Sequence, residues 1–323
     1  MTIDHSVSRL ALGVDGGGTK SDAVLIDEHG VVLGWGRAGT GQALWAGRQG
    51  ALDAYTDAVR QALGDLRPES LWVAGFYEHS LERIGLGEME ANFVHAGEVD
   101  RGLAAALETH GILVLSGTGS FVAGLTASGE HVTLDGLGPV LGDHGSGYQI
   151  GLMGMRAAMA ASWGPERRTA LYHIVPQELG GATPHDVFHL VYMQDMSRSG
   201  IASAAKAVIR AAEDGDDIAR RIVLDAADDI SGVLADVIRH LSLETSDCAL
   251  VASGGIAQNC GFYWDRVCEN ALKLAPGLRP IRPRVRPCVG SALLALKDMG
   301  VPWTPELLAR IEETQIPHLA RLG

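Results

Sequence analysis

No stretch of this 323-residue chain reaches the 18 or so consecutive apolar residues of a membrane-spanning helix, and its opening residues, MTIDHSVSRLALGV, lack an apolar core of signal-peptide length. A cytoplasmic protein with no membrane partner is therefore expected. Cysteine is scarce. Cys248, Cys260, Cys268 and Cys288 make no C-x-x-C pair and have no metal-like spacing, so they read as reduced, mostly buried thiols. Basic residues are outnumbered, 26 Lys and Arg against 39 Asp and Glu, for a formal net charge of −13. That balance argues against a nucleic-acid partner, whose phosphates need a basic surface. The one basic stretch, Arg279 to Arg286, is interleaved with prolines and reads as an extended segment with solvated arginines. What remains is ordinary for a globular protein: 46% apolar and 20% charged residues, at a length whose prior is roughly two domains.

Within that composition one pattern occurs twice. An apolar strand runs into a Gly-Thr-rich loop, returns as a second strand and turns, first over Leu10 to Gly34 and again over Ile112 to Thr133. Gly18-Thr19 and Gly117-Thr118 occupy matching places, about one hundred residues apart, as duplicated units do. Glycines let a backbone approach an anion closely, and successive N–H groups in such a turn cradle phosphate oxygens. Two other phosphate motifs fail. Gly13 and Gly18 are followed by Thr19 where a P-loop needs lysine, and Gly117 and Gly119 would need a third glycine at Val122 for G-x-G-x-x-G. Both of those motifs open a helix, whereas each loop here leads into a strand. Two ordinary glycine-rich turns remain the plain alternative, weakened by the duplication and by Asp15, which ends a buried strand where a carboxylate can hold Mg²⁺ through water.

Strands and helices alternate thereafter. Three-to-four spacing of Leu52, Tyr55, Val59 and Leu63 predicts a helix over 47–66; a strand over 71–76, a short polar helix near 79–84, a strand over 92–95 and a helix over 99–108 follow. The second hairpin leads into helices over 147–162, 166–176, 185–194, 201–212 and 216–241, a strand over 248–252, and a helix over 258–274. An extended piece near 279–285, a small-residue helix over 289–296 and an amphipathic tail helix close the chain. The alternation implies α/β domains with some parallel pairing. The boundary is placed near Gly111, giving domains 1–110 and 111–323, with the last helix packing back on the first.

GVDGGGTKSDAVLID (Gly13 to Asp27) resembles the first phosphate loop of the actin/hexokinase/heat-shock ATPase superfamily, and LSGTGSFVAG (Leu115 to Gly124) its second. VASGGIAQN (Val251 to Asn259) is similar to its adenosine motif, and VGSALLAL to its connecting helix. LGPVLGDHGSGYQIG (Leu137 to Gly151) resembles the GDEGSxxxIG segment of N-acetylglucosamine kinases and of the wider ATPase group that includes the benzoyl-CoA reductase activators. Those activators bind an iron–sulfur cluster through a cysteine near the second loop. No cysteine precedes Cys248, which speaks against that branch.

The resemblance implies an α/β fold of two ribonuclease-H-like, actin-like ATPase domains with a nucleotide cleft between them, and an ATP- and Mg²⁺-dependent kinase acting on a small amino sugar, N-acetylglucosamine or glucosamine foremost, with a homodimer as the default assembly. On that basis Asp15 holds the metal. Gly17, Gly18, Thr19 and Lys20, with Gly117, Thr118, Gly119 and Ser120, hold phosphates, while Gly254, Gly255 and Asn259 lie against adenosine. The general base falls on Glu98, with Asp100 two residues on, where the kinases carry an Asp; both residues also suit a plain helix N-terminus. The sugar-contacting Asn loop corresponds to AGTGQALWAG, with Gln42 the nearest amide, and Asp143, His144, Gly145 and Ser146 complete the substrate side, His144 replacing a glutamate. An ATPase switch acting on a partner, or a non-catalytic sensor of sugar or nucleotide, are the alternative functions.

Overall fold

The computed structural model describes residues 9–321 apart from 42, 67, 69 and 76–89, and of residues 44, 45 and 166 the backbone only. The chain divides into two units: Met1–Thr109 with Pro283–Gly323, and His110–Arg282. The helix expected near 79–84 and Gln42 lie outside the described residues.

The first unit is built on a five-stranded sheet of β1 (Leu10–Gly16), β2 (Ser21–Asp27), β3 (Val32–Ala38), β4 (Ser70–Ala74) and β5 (Glu90–Val94), in the order β3-β2-β1-β4-β5. β1, β2 and β3 form an antiparallel meander, and β4 and β5 extend it in parallel with β1. β1 is apolar on both faces because both faces are covered. Leu10, Leu12 and Val14 pack with Ala58, Val59 and Ala62 of α1 (Ala43–Leu63), a helix broken at Gly47. Ala11 lies in a second core that includes Ala104 of α2 (Glu98–Ala104).

The second unit repeats the arrangement. β6 (Gly111–Ser116), β7 (Ser120–Leu125) and β8 (His131–Asp135) are the meander, and β9 (Ala249–Ser253) and β10 (Arg279–Ile281) add in parallel, giving β10-β9-β6-β7-β8. Read from β8, this is the order of the first sheet. Between β8 and β9 runs a helical region: α3 (Gly147–Ala160), α4 (Leu171–Glu178), α5 (Pro184–Tyr192), α6 (Arg198–Ser203), α7 (Ala205–Glu213) and α8 (Asp217–His240). α8 presents Val223, Ala227, Ile230, Leu234 and Val237 to the core at helical spacing. Asp216 caps it by accepting the Ala219 N–H at 2.9 Å. α9 (Gly255–Asn259) and α10 (Gly261–Leu274) follow β9.

The last segment corrects the domain assignment. The last helix is expected to return to the first domain, but all of residues 283–323 group with the first unit, so the correction concerns 283–304. α11 (Pro287–Asp298) carries Val289, Ala292, Leu293 and Leu296 into the core with Ala11 and Ala74. The reason is close approach: a methyl group at Gly13 of β1 would lie 2.1 Å from the Cys288 carbonyl oxygen, so helix and strand backbones touch where neither has bulk. α12 (Pro305–Ala320) adds Leu307 and Ile311 to the same core.

Candidate active site

The first Gly-Thr turn joins Gly16 to Ser21, directly paired residues of β1 and β2. Within it the Gly17 N–H donates to the Lys20 carbonyl at 2.8 Å, and the Gly41 N–H donates to the Gly17 carbonyl at 3.2 Å. The Gly17 N–H therefore closes the turn.

Asp15 stands one residue before the end of β1 and meets the first turn of α2. Arg101 Nε lies 2.8 Å from Asp15 Oδ1, close but off the axis of its N–H bond, and Arg101 Nη2 lies 3.9 Å from Glu98 Oε1. Glu98 and Arg101 share a helix face because they are three residues apart. The side chains are 21% exposed for Asp15, 13% for Arg101 and 45% for Glu98. Burial raises the pKa of both carboxyls above their ordinary values, Arg101 works against that rise in each, and Asp15 adds to it in Glu98. A carboxylate poised in this way is suited to accept a proton. Asp100 does something different. Its Oδ2 accepts the Gly97 N–H at 3.0 Å and so caps α2, with His95 Nε2 at 3.6 Å.

Asp22, cross-strand partner of Asp15, is buried in a cluster of cations. Arg37 donates to both its oxygens, at 2.7 and 3.2 Å, while Arg286 Nη1 lies at 3.5 Å and Lys20 Nζ at 3.9 Å. Burial lowers the Lys20 pKa and Asp22 opposes the shift. Lys20 is thus held beside the turn by a carboxylate that two arginines already engage.

The second turn is one residue shorter. Ser116 pairs with Ser120, and the Gly117 N–H donates to the Gly119 carbonyl at 2.9 Å, so Gly117, like Gly17, closes its own turn. The segment Asp143 to Ser146 is docked onto this hairpin by backbone oxygens. Ser116 Oγ donates to the Gly145 carbonyl at 2.7 Å, Tyr263 Oη donates to the same carbonyl at 2.8 Å, and Ser120 Oγ donates to the His144 carbonyl at 2.7 Å. Ser146 caps α3 by accepting the Gln149 N–H at 3.2 Å. Asp135 accepts the N–H groups of Asp143 and His144 at 2.7 and 2.8 Å, and the His144 ring lies 3.1 Å from the same carboxylate. Asp143 is ion-paired with Arg198 of α6.

β9 brings the third motif to this turn. Gly254 has φ 82°, a conformation that favours glycine, and a methyl group there would lie 2.4 Å from the Ser116 carbonyl oxygen. Asn259 Nδ2 donates to the Gly255 carbonyl at 2.8 Å, within its own helix. Ser116 to Ser120, Asp143 to Ser146 and Gly254 form one assembly in the second unit; Asp15, Lys20, Glu98 and Arg101 belong to the first. Sequence reasoning missed Arg101, Asp22, Asp135 and Arg198. Only Arg101 carried a local signal, three residues after Glu98 on a helix.

Among the described residues no group of three or more His, Cys, Asp or Glu side chains is gathered for a metal ion. Magnesium does not need one, since it keeps several waters and is held by one or two carboxylates with substrate phosphates. Asp15, with Glu98 near it, fits that donor chemistry.

A model of the BadF/BadG/BcrA/BcrD ATPase family matches residues 12–295. An N-acetyl-D-glucosamine kinase of Dictyostelium discoideum is 26% identical over 312 residues, covering 89% of this chain and 98% of its own length. An N-acetylmuramic acid/N-acetylglucosamine kinase of Clostridium acetobutylicum is 24% identical over 279 residues, 80% of this chain and 88% of the relative. Among solved structures, one from Porphyromonas gingivalis, described as a candidate N-acetylglucosamine kinase, superposes with a TM-score of 0.66 at 20% identity, covering 90% of this chain and 99% of that one. That likeness shows a shared fold. With the family match over most of its length, the chain belongs to the BadF/BadG/BcrA/BcrD ATPase family.

Proposed function

We propose that the protein is an ATP-dependent kinase that phosphorylates a hydroxyl of an amino sugar, with N-acetylglucosamine the first candidate and glucosamine the second. The observation that carries the reading is the Asp15–Arg101–Glu98 constellation beside a Gly-Thr turn, in a chain whose curated relatives are sugar kinases. Phosphoryl transfer asks a protein to position phosphates, balance their charge and orient the attacking hydroxyl. Gly18, Thr19 and Lys20 in one turn, and Thr118, Gly119 and Ser120 in the other, hold the phosphates, with Gly254, Gly255 and Asn259 on the adenosine side. Glu98 accepts the proton of the attacking hydroxyl as its oxygen bonds the terminal phosphorus and ADP leaves with the bridging oxygen. Arg101 keeps Asp15 and Glu98 ionised and in place. A magnesium ion, when bound, neutralises phosphate charge, and Asp15 is the residue to hold it. Asp143, His144, Gly145 and Ser146 lie on the sugar side in this reading, largely through backbone groups, since Asp143, His144 and Ser146 engage their side chains within the second unit. A homodimer in the cytoplasm is part of the same reading, and among the described residues no helix is long and apolar enough to cross a membrane.

Coupled ADP-release assays across N-acetylglucosamine, glucosamine, N-acetylmuramic acid, N-acetylmannosamine and glucose test it. ADP formation that depends on an amino sugar is the expected result. Turnover of ATP without sugar overturns it in favour of a switch, and ligand-induced stabilisation without turnover in favour of a sensor.

A further inference from the structure

Phosphoryl transfer leaves one constellation of the second unit unused. α5 is anchored on one side and open on the other. Pro184 and Val187 are buried, and Val187 joins the core of the unit. A capping box fixes the start of the helix: Asp186 Oδ2 accepts the Ala182 and Thr183 N–H groups, each at 2.8 Å, and Thr183 Oγ1 accepts the Asp186 N–H at 3.4 Å. His185 and His189 are both exposed and stand four residues apart, one turn from each other on one face. Their Nε2 atoms lie 3.2 Å apart, with the ring planes at 87°. Phe188 lies beside both rings, stacked with His185 at a centroid distance of 6.1 Å and edge-on to His189 at 5.9 Å.

We propose that His185 and His189 together bind a borderline divalent cation, zinc foremost, through their Nε2 atoms; the inference is independent of the kinase reading. Geometry carries it. Two imidazole nitrogens on one tetrahedral zinc, each about 2.0–2.1 Å from the metal, stand about 3.3 Å apart. The observed 3.2 Å is that bite distance, so the helix already holds the pair where one ion reaches both. A proton shared between the two nitrogens spans the same gap, and the metal takes its place when both rings carry their proton on Nδ1. Phe188 limits the rotation of the two rings, and the capped, half-buried helix limits the rest, which is the preorganisation a metal site needs. Imidazole suits zinc, whereas magnesium prefers oxygen, so this site is chemically distinct from the one that Asp15 offers. Among the described residues no third His, Cys, Asp or Glu joins the pair, and Asp186 Oδ2 is committed to backbone N–H groups. Water fills the remaining positions, which makes the site an exchangeable one on the surface rather than a structural one.

The test is equilibrium dialysis of the full chain, free of any histidine tag, against Zn²⁺ in excess Mg²⁺, which keeps oxygen sites filled. One zinc ion per chain is the expected result. His185→Ala and His189→Ala are each expected to weaken binding at least about tenfold, since losing a group that merely orients a metal ligand already costs about 10–100-fold. His131→Ala, which removes an exposed histidine of β8, is expected to leave it unchanged. In histidine-selective nitrogen NMR the imidazole signals of two residues shift together as zinc is added, and the two alanine variants identify them. Absence of stoichiometric binding overturns the proposal, and so does binding that survives both substitutions. A loss in only one of the two variants also overturns it, because a single histidine is then the ligand. If an alanine variant does not fold without metal, His185→Gln and His189→Gln are read in its place by the same criteria.

Discussion

The two units each have a sheet of the same strand order and differ in what they attach to it. β1 to β5 and β6 to β10 have the same strand order and the same sequence of antiparallel and parallel pairings. In the first, β3 leads to the single stretch α1 before β4; in the second, α3 to α8 intervene between β8 and β9. The first turn has charged side chains near it: Asp15 with Glu98 and Arg101, and Asp22 with Lys20, Arg37 and Arg286. The second is surrounded by hydroxyl and backbone groups that fix loops against it, and Arg198 of the helical region lies against Gly119. A repeated scaffold thus carries two hairpins in different surroundings, charged side chains at the first and hydrogen-bonded loops at the second.

The sharpest way to break this contrast is to remove the proposed base of the first unit. Glu98→Gln is expected to cut kcat at least a hundredfold, within the 10²–10⁴ or so that a general base supplies, with ATP affinity unmoved in titrations. An unaltered rate would overturn the assignment of Glu98. The same carboxyl predicts a pH dependence. Burial raises its pKa and Arg101 opposes the rise, so activity, which needs the ionised form, falls as pH drops through a value above 4.5. Arg101→Met lifts that inflection further, and a pH–rate profile with the inflection at or below the ordinary glutamate value speaks against Glu98. Asp15→Ala is expected to weaken MgATP binding about tenfold or more while affecting metal-free nucleotide less; calorimetric titration with and without magnesium distinguishes the two.

In the second unit the expected losses are of stability. Gly254→Ala places a methyl group 2.4 Å from the Ser116 carbonyl oxygen at φ 82°, and is expected to cost about 1–3 kcal/mol, read from chemical denaturation. The smallest effect is Asp216→Ala. Burial opposes ionisation of this carboxyl, but N–H groups of Ala219 and Ala170 and the Thr169 hydroxyl outweigh it and lower its pKa. Its stabilisation is therefore present above the ordinary value of 3.8 and is lost as pH falls through the lowered one. A loss of about 0.5–2 kcal/mol at neutral pH that shrinks in acid is the expected result.

Much of this was legible along the chain. The hairpins, the alternation of elements and the resemblance at Gly13 to Asp27, Leu115 to Gly124 and Val251 to Asn259 are local signals, and local signals survive in sequence because each is a few consecutive residues with one backbone role. α1 illustrates the limit of such reading: its apolar spacing predicts a helix from Gly47, where the structure has a break in a helix that starts at Ala43. The last helices illustrate another. α11 looks like a continuation of the second unit until Gly13 and Cys288 are seen to touch. His144 and Asn259 read as ligand contacts from their motifs, yet Asp135 and the Gly255 carbonyl engage their side chains, and neither partner is marked in the sequence.

The sequence by itself determined the repeated Gly-Thr hairpins, the family to which the chain belongs and the candidates Asp15 and Glu98, because glycine content, strand patterning and motif order are properties of neighbours along a chain. Only the tertiary structure decided that Arg101 ties those two carboxylates together, that Asp100 caps a helix, that residues 283–323 return to the first unit, and that Arg198 lies against Gly119. Each of these is a meeting of charges or backbones from distant segments, fixed by how the helices pack on their sheets and by nothing written beside them.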